Sequence, residues 1–288
     1  MPDTVISADA LSRVRTLSGL RHAVAALRAD GATIGFVPTM GALHEGHLAL
    51  VKQAKALCDK VVVSIFVNPL QFAPTEDLDR YPRTENADLA LLHSVGCDLV
   101  YLPTTDILYP ADFVSRIDMQ GPALDLETDF RPQFFSGVTT VVMKLFNQVQ
   151  PDLAVFGEKD YQQLAVIRTM VRDFDMAIDI VGYPTVREDD GLALSSRNAY
   201  LTPAERAVAP KLNQALRTIA ASTDPEAAIA QAKGELTAAG FGQIDYIALR
   251  DADTLGPIRD GQPRRLLAAL WLGKTRLIDN IPAEAVNS

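Results

Sequence analysis

Five short runs of β-branched and apolar residues recur along the first two thirds of the chain: "TIGFV" 33–37, "VVVSIFV" 61–67, "DLVYL" 98–102, "LAVF" 153–156 and "IDIVGYP" 178–184. Amphipathic stretches such as "LALVKQAKALC" and "ADLALLHSVG" separate them. Near-continuous apolar runs of this length suit strands covered on both faces, and the intervening 3.6-residue periodicity supplies the covering helices. The alternation therefore predicts an α/β fold, a doubly wound parallel sheet, over residues 1–184. In such a sheet the strand-to-helix turns collect at the carboxyl edge, where helix N-termini offer N–H groups to a ligand. The first strand, ending near Val37, is expected to pass through a glycine turn into a helix beginning around Gly41. After about residue 185 the pattern changes to two helical stretches, "TPAERAVAPKLNQALRTIAAS" and "PEAAIAQAKGELTAAG", then strand-like "QIDYIALR", "RRLLAALWL" and "TRLIDN". This predicts a smaller C-terminal α+β lid domain over 185–288. Residues 104–137, rich in Pro, Asp and Phe, are the least regular part, and no internal repeat is evident.

Composition narrows the classes of function. A chain of 288 residues, 48% of them hydrophobic, can bury a sizeable core. Its longest apolar stretches are too short to span a bilayer, and "MPDTVISADALSRV" lacks a basic segment followed by an apolar run, so a cytoplasmic location is expected. With 27 Lys and Arg against 36 Asp and Glu, the net charge of −9 excludes a broad footprint for nucleic acid but leaves room for a local phosphate pocket. Cys58 and Cys97 form neither a disulfide framework nor a zinc spacing and read as buried thiols.

The chemistry concentrates in four blocks. In "PTMGALHEGHLALV" 38–51, His44 and His47 are one helical turn apart at a helix N-terminus, where an anion is favoured, and Gly46 clears the approach. A zinc-protease H-E-x-x-H is excluded because position 48 is Leu48. In "SIFVNPLQF", Asn68 and Pro69 end a strand and Gln71 projects from the loop; alone, it would read as a solvated glutamine. In "LAVFGEKDYQQLAVI", Gly157 is expected to make a turn, Lys159 to reach a phosphate, Asp160 to accept from ribose hydroxyls, and Gln163 to face the same way as Lys159. In "REDDGLALSSRNAYL", Ser195, Ser196 and Arg197 suit a polyphosphate, although an interdomain linker has similar composition, and Thr202 with Pro203 starts a helix. His22 and His93 read as ordinary surface histidines.

Together "PTMGALHEGH", "SIFVNPLQF", "FGEKDYQQL" and "DGLALSSRN" resemble the pantothenate synthetase (pantoate–β-alanine ligase) family in order, spacing and most residues, and "RTENADLALL" after "DRYP" adds to the likeness. "HEGH" is similar to the H-x-G-H signature of the nucleotidylyltransferase superfamily. The resemblance implies a Rossmann-like first domain, a homodimer, ATP with Mg²⁺, and condensation of pantoate with β-alanine through a pantoyl adenylate. It implies His47, His44 and Lys159 as catalytic groups. The nucleotide would be held by Met40, Gly41, Ala42, Leu43, His44, Glu45, Gly46 and His47, by Gly157, Glu158, Lys159 and Asp160, and by Val186, Leu194, Ser195, Ser196 and Arg197. Pantoate, with two hydroxyls and a gem-dimethyl group, would meet Gln71, Gln163 and Arg131 beside an apolar wall of Pro38, Met40 and "VTTVV" 138–142. Metal ligands and a general base for β-alanine stay unassigned. The family pattern R-P-G-H-F-x-G-V is departed from here, because "RPQFFSGV" puts Gln133 and Phe134 where Gly and His are usual. The alternatives are another nucleotidylyltransferase, which would leave the adenylyl group on its product, and a non-enzymatic nucleotide-binding regulator.

Overall fold

The computed structural model of the chain describes residues 11–74 and 76–283. Residues 1–10, which carry most of the N-terminal stretch read above for a leader, lie outside the described residues. Among the described residues no helix is long and apolar enough to cross a membrane. In chain order the elements are β1 (Ser12–Val14), α1 (Leu17–Leu27), β2 (Ile34–Thr39), α2 (Glu45–Leu57), β3 (Lys60–Ile65), α3 (Glu85–Ser94), β4 (Leu99–Tyr101), α4 (Thr105–Leu108), α5 (Glu127–Phe130) and α6 (Phe134–Val149). There follow β5 (Leu153–Gly157), α7 (Tyr161–Asp173), β6 (Asp179–Tyr183), α8 (Pro203–Val208), α9 (Lys211–Ala220), α10 (Pro225–Ala238), β7 (Ile244–Asp251), β8 (Arg264–Leu272) and β9 (Thr275–Ala283). Contacts divide the described chain into one unit of 11–119, 131–157 and 166–183, and a second of 120–130, 158–165 and 184–283.

The first unit holds a six-stranded parallel sheet in the order β1-β4-β3-β2-β5-β6. The chain builds outward from β2 through β3 to β4, then returns to the other side of β2 with β5 and β6, so the order reverses between β2 and β5. β2 pairs with β3 as far as Thr39 but with β5 only at Gly35 and Phe36. Pro38, which lacks an N–H, therefore stands beyond the β5 pairing, where the ladder needs no donor from it. Gly35 lets α2 lie close, since a Cβ there would be 3.2 Å from the Cβ of Ala54. Val37, Leu48, Val51, Val63, Leu92 and Val100 fill the layer between. The three-residue edge strand β1, paired with β4 through Ser12 and Leu99, is too short to leave a periodic signal in the sequence.

Two local expectations are corrected. The helix after β2 begins at Glu45, not near Gly41, because Gly41 and Ala42 both take left-handed backbone (φ 82° and 50°) and cannot belong to it. The "VTTVV" run, expected as a wall beside a substrate, is buried inside α6, with Thr139 Oγ1 donating to the carbonyl of Phe135 (2.7 Å). Its β-branched residues mask the helix in the sequence.

The second unit is an antiparallel sheet, β7-β8-β9, packed on α9 and α10. Leu212, Leu216 and Ile219 recur at helical spacing on the buried face of α9. The single helix expected over 202–222 is broken at Pro210, where an N–H is missing, giving α8 and α9. Segments 120–130 and 158–165 pack here although they precede residue 185. Buried Gln162 ties them, its Nε2 donating to the carbonyl of Pro122 (3.0 Å) and its Oε1 accepting from the N–H of Glu127 (3.1 Å). Buried Glu127 in turn accepts from Tyr246 (2.8 Å) and Arg276 (2.9 Å).

Candidate active site

In the first unit, the turn after β2 is held from a distance. The carboxylate of Asp88, on α3 and 2% exposed, accepts from the N–H of Ala42 (3.0 Å) and of Leu43 (2.9 Å). These two charge-assisted bonds offset the strain of a left-handed alanine, which on its own costs roughly 1–3 kcal/mol. Gly41 has no room for a side chain, because a Cβ would sit 3.0 Å from Ile65 and 3.1 Å from Asp88.

The turn delivers His44 as the N-cap of α2. Its Nδ1 accepts from the N–H of Gly46 (3.2 Å), and the Nδ1 of His47 accepts from the N–H of His44 (3.3 Å). This is a capping box made with imidazoles in place of Ser and Glu. The rings lie 4.1 Å apart between centroids. With Nδ1 acting as acceptor, each neutral ring carries its proton on Nε2, so both present a donor of fixed tautomer at a terminus that already favours negative charge.

The loop after β3 carries Gln71. Asn68, 1% exposed, organises it: its Oδ1 accepts from Leu70 N–H (3.2 Å) and Tyr109 OH (2.8 Å), while its Nδ2 donates to Gln71 Oε1 (3.0 Å) and to the carbonyl of Gly137 (3.1 Å). Gln71 Nε2 reaches Met40 Sδ (2.9 Å), so these two side chains are in contact, with Pro38 two residues before Met40 and half-buried. Burial holds the Tyr109 phenol well above its ordinary range, so it stays a neutral donor. Gly137, on α6, touches this loop so closely that a Cβ would be 2.2 Å from the carbonyl oxygen of Leu70. Arg131 makes two bonds of 2.7 Å to Glu76 and one of 3.1 Å to the carbonyl of Gln71. Its guanidinium lies 3.8 Å from the centre of the Phe134 ring. Arg131 thus buttresses the Gln71 loop, and Phe134, the departure from the family pattern, supplies the face on which it stacks.

Gly157 remains the last paired residue of β5 in the first unit, and the turn expected of it is made, in the second unit, by a 3-10 turn over Glu158–Asp160. Lys159, with its side chain 21% exposed, lies 3.8 Å from Asp160. Gln163 is half-buried on the first turn of α7. The segment leading to Ser195 is a tight hairpin: the N–H of Leu194 bonds the carbonyl of Val186 (3.0 Å), and Arg187 bridges Ala193. Ser195 Oγ then caps a 3-10 turn over Ser196–Tyr200 by accepting from Arg197 N–H (3.2 Å). Thr202 and Glu205 form a capping box with Pro203 at the first helical position, as expected. Among the described residues no group of three or more His, Cys, Asp or Glu is disposed to hold a metal ion.

Sequence reasoning passed over Asp88, Asn68 and Gly137 as functional supports. An acid on the apolar face of a helix, four residues before Leu92, was the available signal for Asp88. Comparison with known proteins decides the family, because the profile described as "Pantoate-beta-alanine ligase" matches residues 12–282. The chain belongs to this family. A pantothenate synthetase from Mesorhizobium japonicum is 54% identical over 272 residues, covering 93% of this chain and 96% of its own. One from Rhodopseudomonas palustris is 55% identical over 275 residues, with 93% and 96% covered. Among solved structures, pantothenate synthetase from Thermus thermophilus matches with a TM-score of 0.84 at 44% identity, covering 94% of this chain and 99% of that one. The pantoate–β-alanine ligase of Francisella tularensis, complexed with beta-gamma ATP and β-alanine, matches with a TM-score of 0.81 at 35% identity, covering 95% and 98%. The imidazole pair and the Gln71 loop follow adjoining strands, β2 and β3, at one edge of the sheet.

Proposed function

We propose that the protein joins pantoate to β-alanine at the expense of ATP, in two steps. A pantoate carboxylate oxygen bonds to the α-phosphorus while the bond to the bridging oxygen of the β-phosphate breaks, giving pantoyl adenylate and pyrophosphate. The amine of β-alanine then bonds to the acyl carbon, AMP leaves with the electron pair of the broken C–O bond, and the amine proton passes to solvent. The obstacle in the first step is electrostatic, since an anion approaches a polyanion while charge grows on the leaving pyrophosphate. His44 and His47 supply oriented Nε2–H donors for that charge, with His47 as proton donor, and the N-terminus of α2 adds its dipole. Lys159, Ser195, Ser196 and Arg197 bind phosphate oxygens, Asp160 takes the ribose hydroxyls, and the turns 40–47 and 157–160 with Val186 and Leu194 supply the remaining nucleotide contacts. Gln71 and Gln163 hold the hydroxyls of pantoate, and Pro38 and Met40 give its methyl groups an apolar surface. Arg131 acts through the Gln71 loop.

Mg²⁺ enters this reading with the nucleotide, since it is bound readily by phosphates and water and needs no protein cage. A homodimer in the cytoplasm completes the proposal, on the resemblance already drawn. The observation that carries the reading is the imidazole capping box: it fixes two donors at a helix terminus beside the Gln71–Met40 subsite. The test is product analysis with ATP, pantoate and β-alanine. Pantothenate, AMP and pyrophosphate in equal amounts are expected, whereas ADP and phosphate would move attack to the γ-phosphorus and overturn the roles given to the two histidines.

A further inference from the structure

Strand β9 carries two adjacent polar residues, Asp279 and Asn280, each only 3% exposed. Consecutive strand residues point to opposite faces, so this dipeptide reaches two different parts of the second unit. Burying an acid and an amide is costly unless every polar atom is matched, and here the partners are specific. Asn280 Nδ2 donates to the carbonyls of Glu158 (2.9 Å) and Lys159 (2.8 Å), the backbone of the lysine turn. Its Oδ1 accepts from Arg265 Nε (2.7 Å), and Arg265 also bonds the carboxylate of Glu158 (3.0 Å) and stacks 4.0 Å from the ring centre of Tyr161. The lysine turn is thus held by its carbonyls, its side chain and the helix that follows.

Asp279 faces the other way. Arg187 meets it with two parallel bonds of 2.8 Å, and Asn213 on α9 donates a third (3.1 Å). The same guanidinium bonds the carbonyl of Gly191 (3.0 Å), closing the hairpin that ends at Ser195, and the carbonyl of Asn280 (3.2 Å). The backbone N–H of Asn280 bonds Asp279 Oδ1 (2.7 Å), which ties the Asp279 carboxylate to the backbone that carries Asn280.

We propose that Asp279 and Asn280 are positioning residues for adenylate formation: Asn280 fixes the turn that presents Lys159, and Asp279, through Arg187, fixes the hairpin that presents Ser195, Ser196 and Arg197. The inference rests on the assignment of those four side chains to ATP. It makes the two phosphate-binding segments depend on one dipeptide, to which the reading above gives no substrate contact of its own.

Double-mutant cycles on the full chain test it, with ATP and pantoate affinities measured by calorimetry beside the thermal midpoint. Asn280→Ala should weaken ATP about tenfold, the loss of two hydrogen bonds that hold the turn, and leave pantoate within about twofold. In a Lys159→Ala background the same change should cost ATP clearly less than in the wild type, because the lysine is already gone and only Asp160 and the backbone of the turn are left to misplace. Asp279→Asn should be non-additive in the same way with the Ser196→Ala/Arg197→Ala pair. A merely structural role would lower the thermal midpoint and leave the ATP losses additive, which overturns the proposal. So would wild-type ATP affinity in folded Asn280→Ala while Lys159→Ala binds ATP weakly. Silence of Lys159→Ala itself would overturn the ATP assignment and this inference with it. Should Asn280→Ala fail to fold, Asn280→Asp, which keeps the shape and the Arg265 partner but removes both donors, runs the same cycle with the same expected coupling.

Discussion

Replacing Gly137 by alanine separates helix propensity from the close approach on which the Gln71 loop depends. Gly137 lies inside α6, so propensity alone would make Gly137→Ala stabilising by about 1 kcal/mol. The new Cβ, however, would stand 2.2 Å from the Leu70 oxygen, 2.5 Å from the Leu70 carbonyl carbon and 2.8 Å from the Gln71 nitrogen, all backbone atoms. Ordinary contact requires about 3.3–3.6 Å, so the loop or the helix must give way by about 1 Å. Overpacking of this kind costs typically 1–3 kcal/mol, and the displacement also stretches the Asn68 bond to the Gly137 carbonyl. A 1 Å misplacement of a positioned group costs on the order of 10²-fold in rate. Gly137→Ala should therefore be less stable to urea, weaken pantoate more than ATP, and slow adenylate formation by one to two orders of magnitude. Urea unfolding, titration of each ligand and a single-turnover rate decide it. A variant that is more stable than wild type and binds pantoate normally would refute the argument that this contact sets the position of Gln71.

Three further outcomes follow from other parts of the structure. His47→Gln keeps an acceptor at the capping-box position and should fold with near-normal stability, yet single-turnover adenylation should fall by about 10²–10³-fold, because the carboxamide N–H is placed differently from the imidazole Nε2–H and cannot release its proton to developing charge; a near-normal rate would remove His47 from the chemistry. Asp88→Asn leaves only one acceptor oxygen for the N–H groups of Ala42 and Leu43, so stability should drop by about 1–3 kcal/mol in denaturant unfolding, with weaker ATP binding in titration. The buried Asp251 carboxyl is held well below the usual carboxylate range, first by its bond to Arg259 and then by bonds from Thr254. A depressed carboxyl stabilises the fold above its ordinary value near pH 4 and loses that contribution as pH falls toward the folded value. Asp251→Asn should accordingly lower the thermal midpoint at pH 7 and differ less from wild type at pH 3; an equal difference at both would contradict this.

The parts of the fold that were legible in the sequence are those set by local pattern. The apolar runs located β2 to β6, and the H-x-G-H spacing located the imidazoles, because both depend on residues close in the chain. The start of α2 was not legible, since the left-handed turn before it is held by Asp88, 46 residues beyond Ala42. The membership of 120–130 and 158–165 in the second unit was hidden for the same reason. Gln162, not its neighbour Gln163, makes the long-range bonds that tie them, and nothing in "DYQQL" distinguishes the two amides. The partners of Arg131, Glu76, the Gln71 carbonyl and the ring of Phe134, were not legible either, since the first two lie more than fifty residues away in the chain.

The claim that the carboxylate of pantoate attacks the α-phosphorus before the amine is needed is tested most directly by isotope exchange. With pantoate, Mg²⁺ and ATP but no β-alanine, the first step is reversible, and pyrophosphate can return to the bound acyl adenylate. Labelled pyrophosphate should appear in ATP, the exchange should require pantoate, and it should fall in His47→Gln by the same factor as the single-turnover rate. Exchange that needs β-alanine, or none at all in an enzyme that still makes pantothenate, would contradict a separate adenylate-forming step.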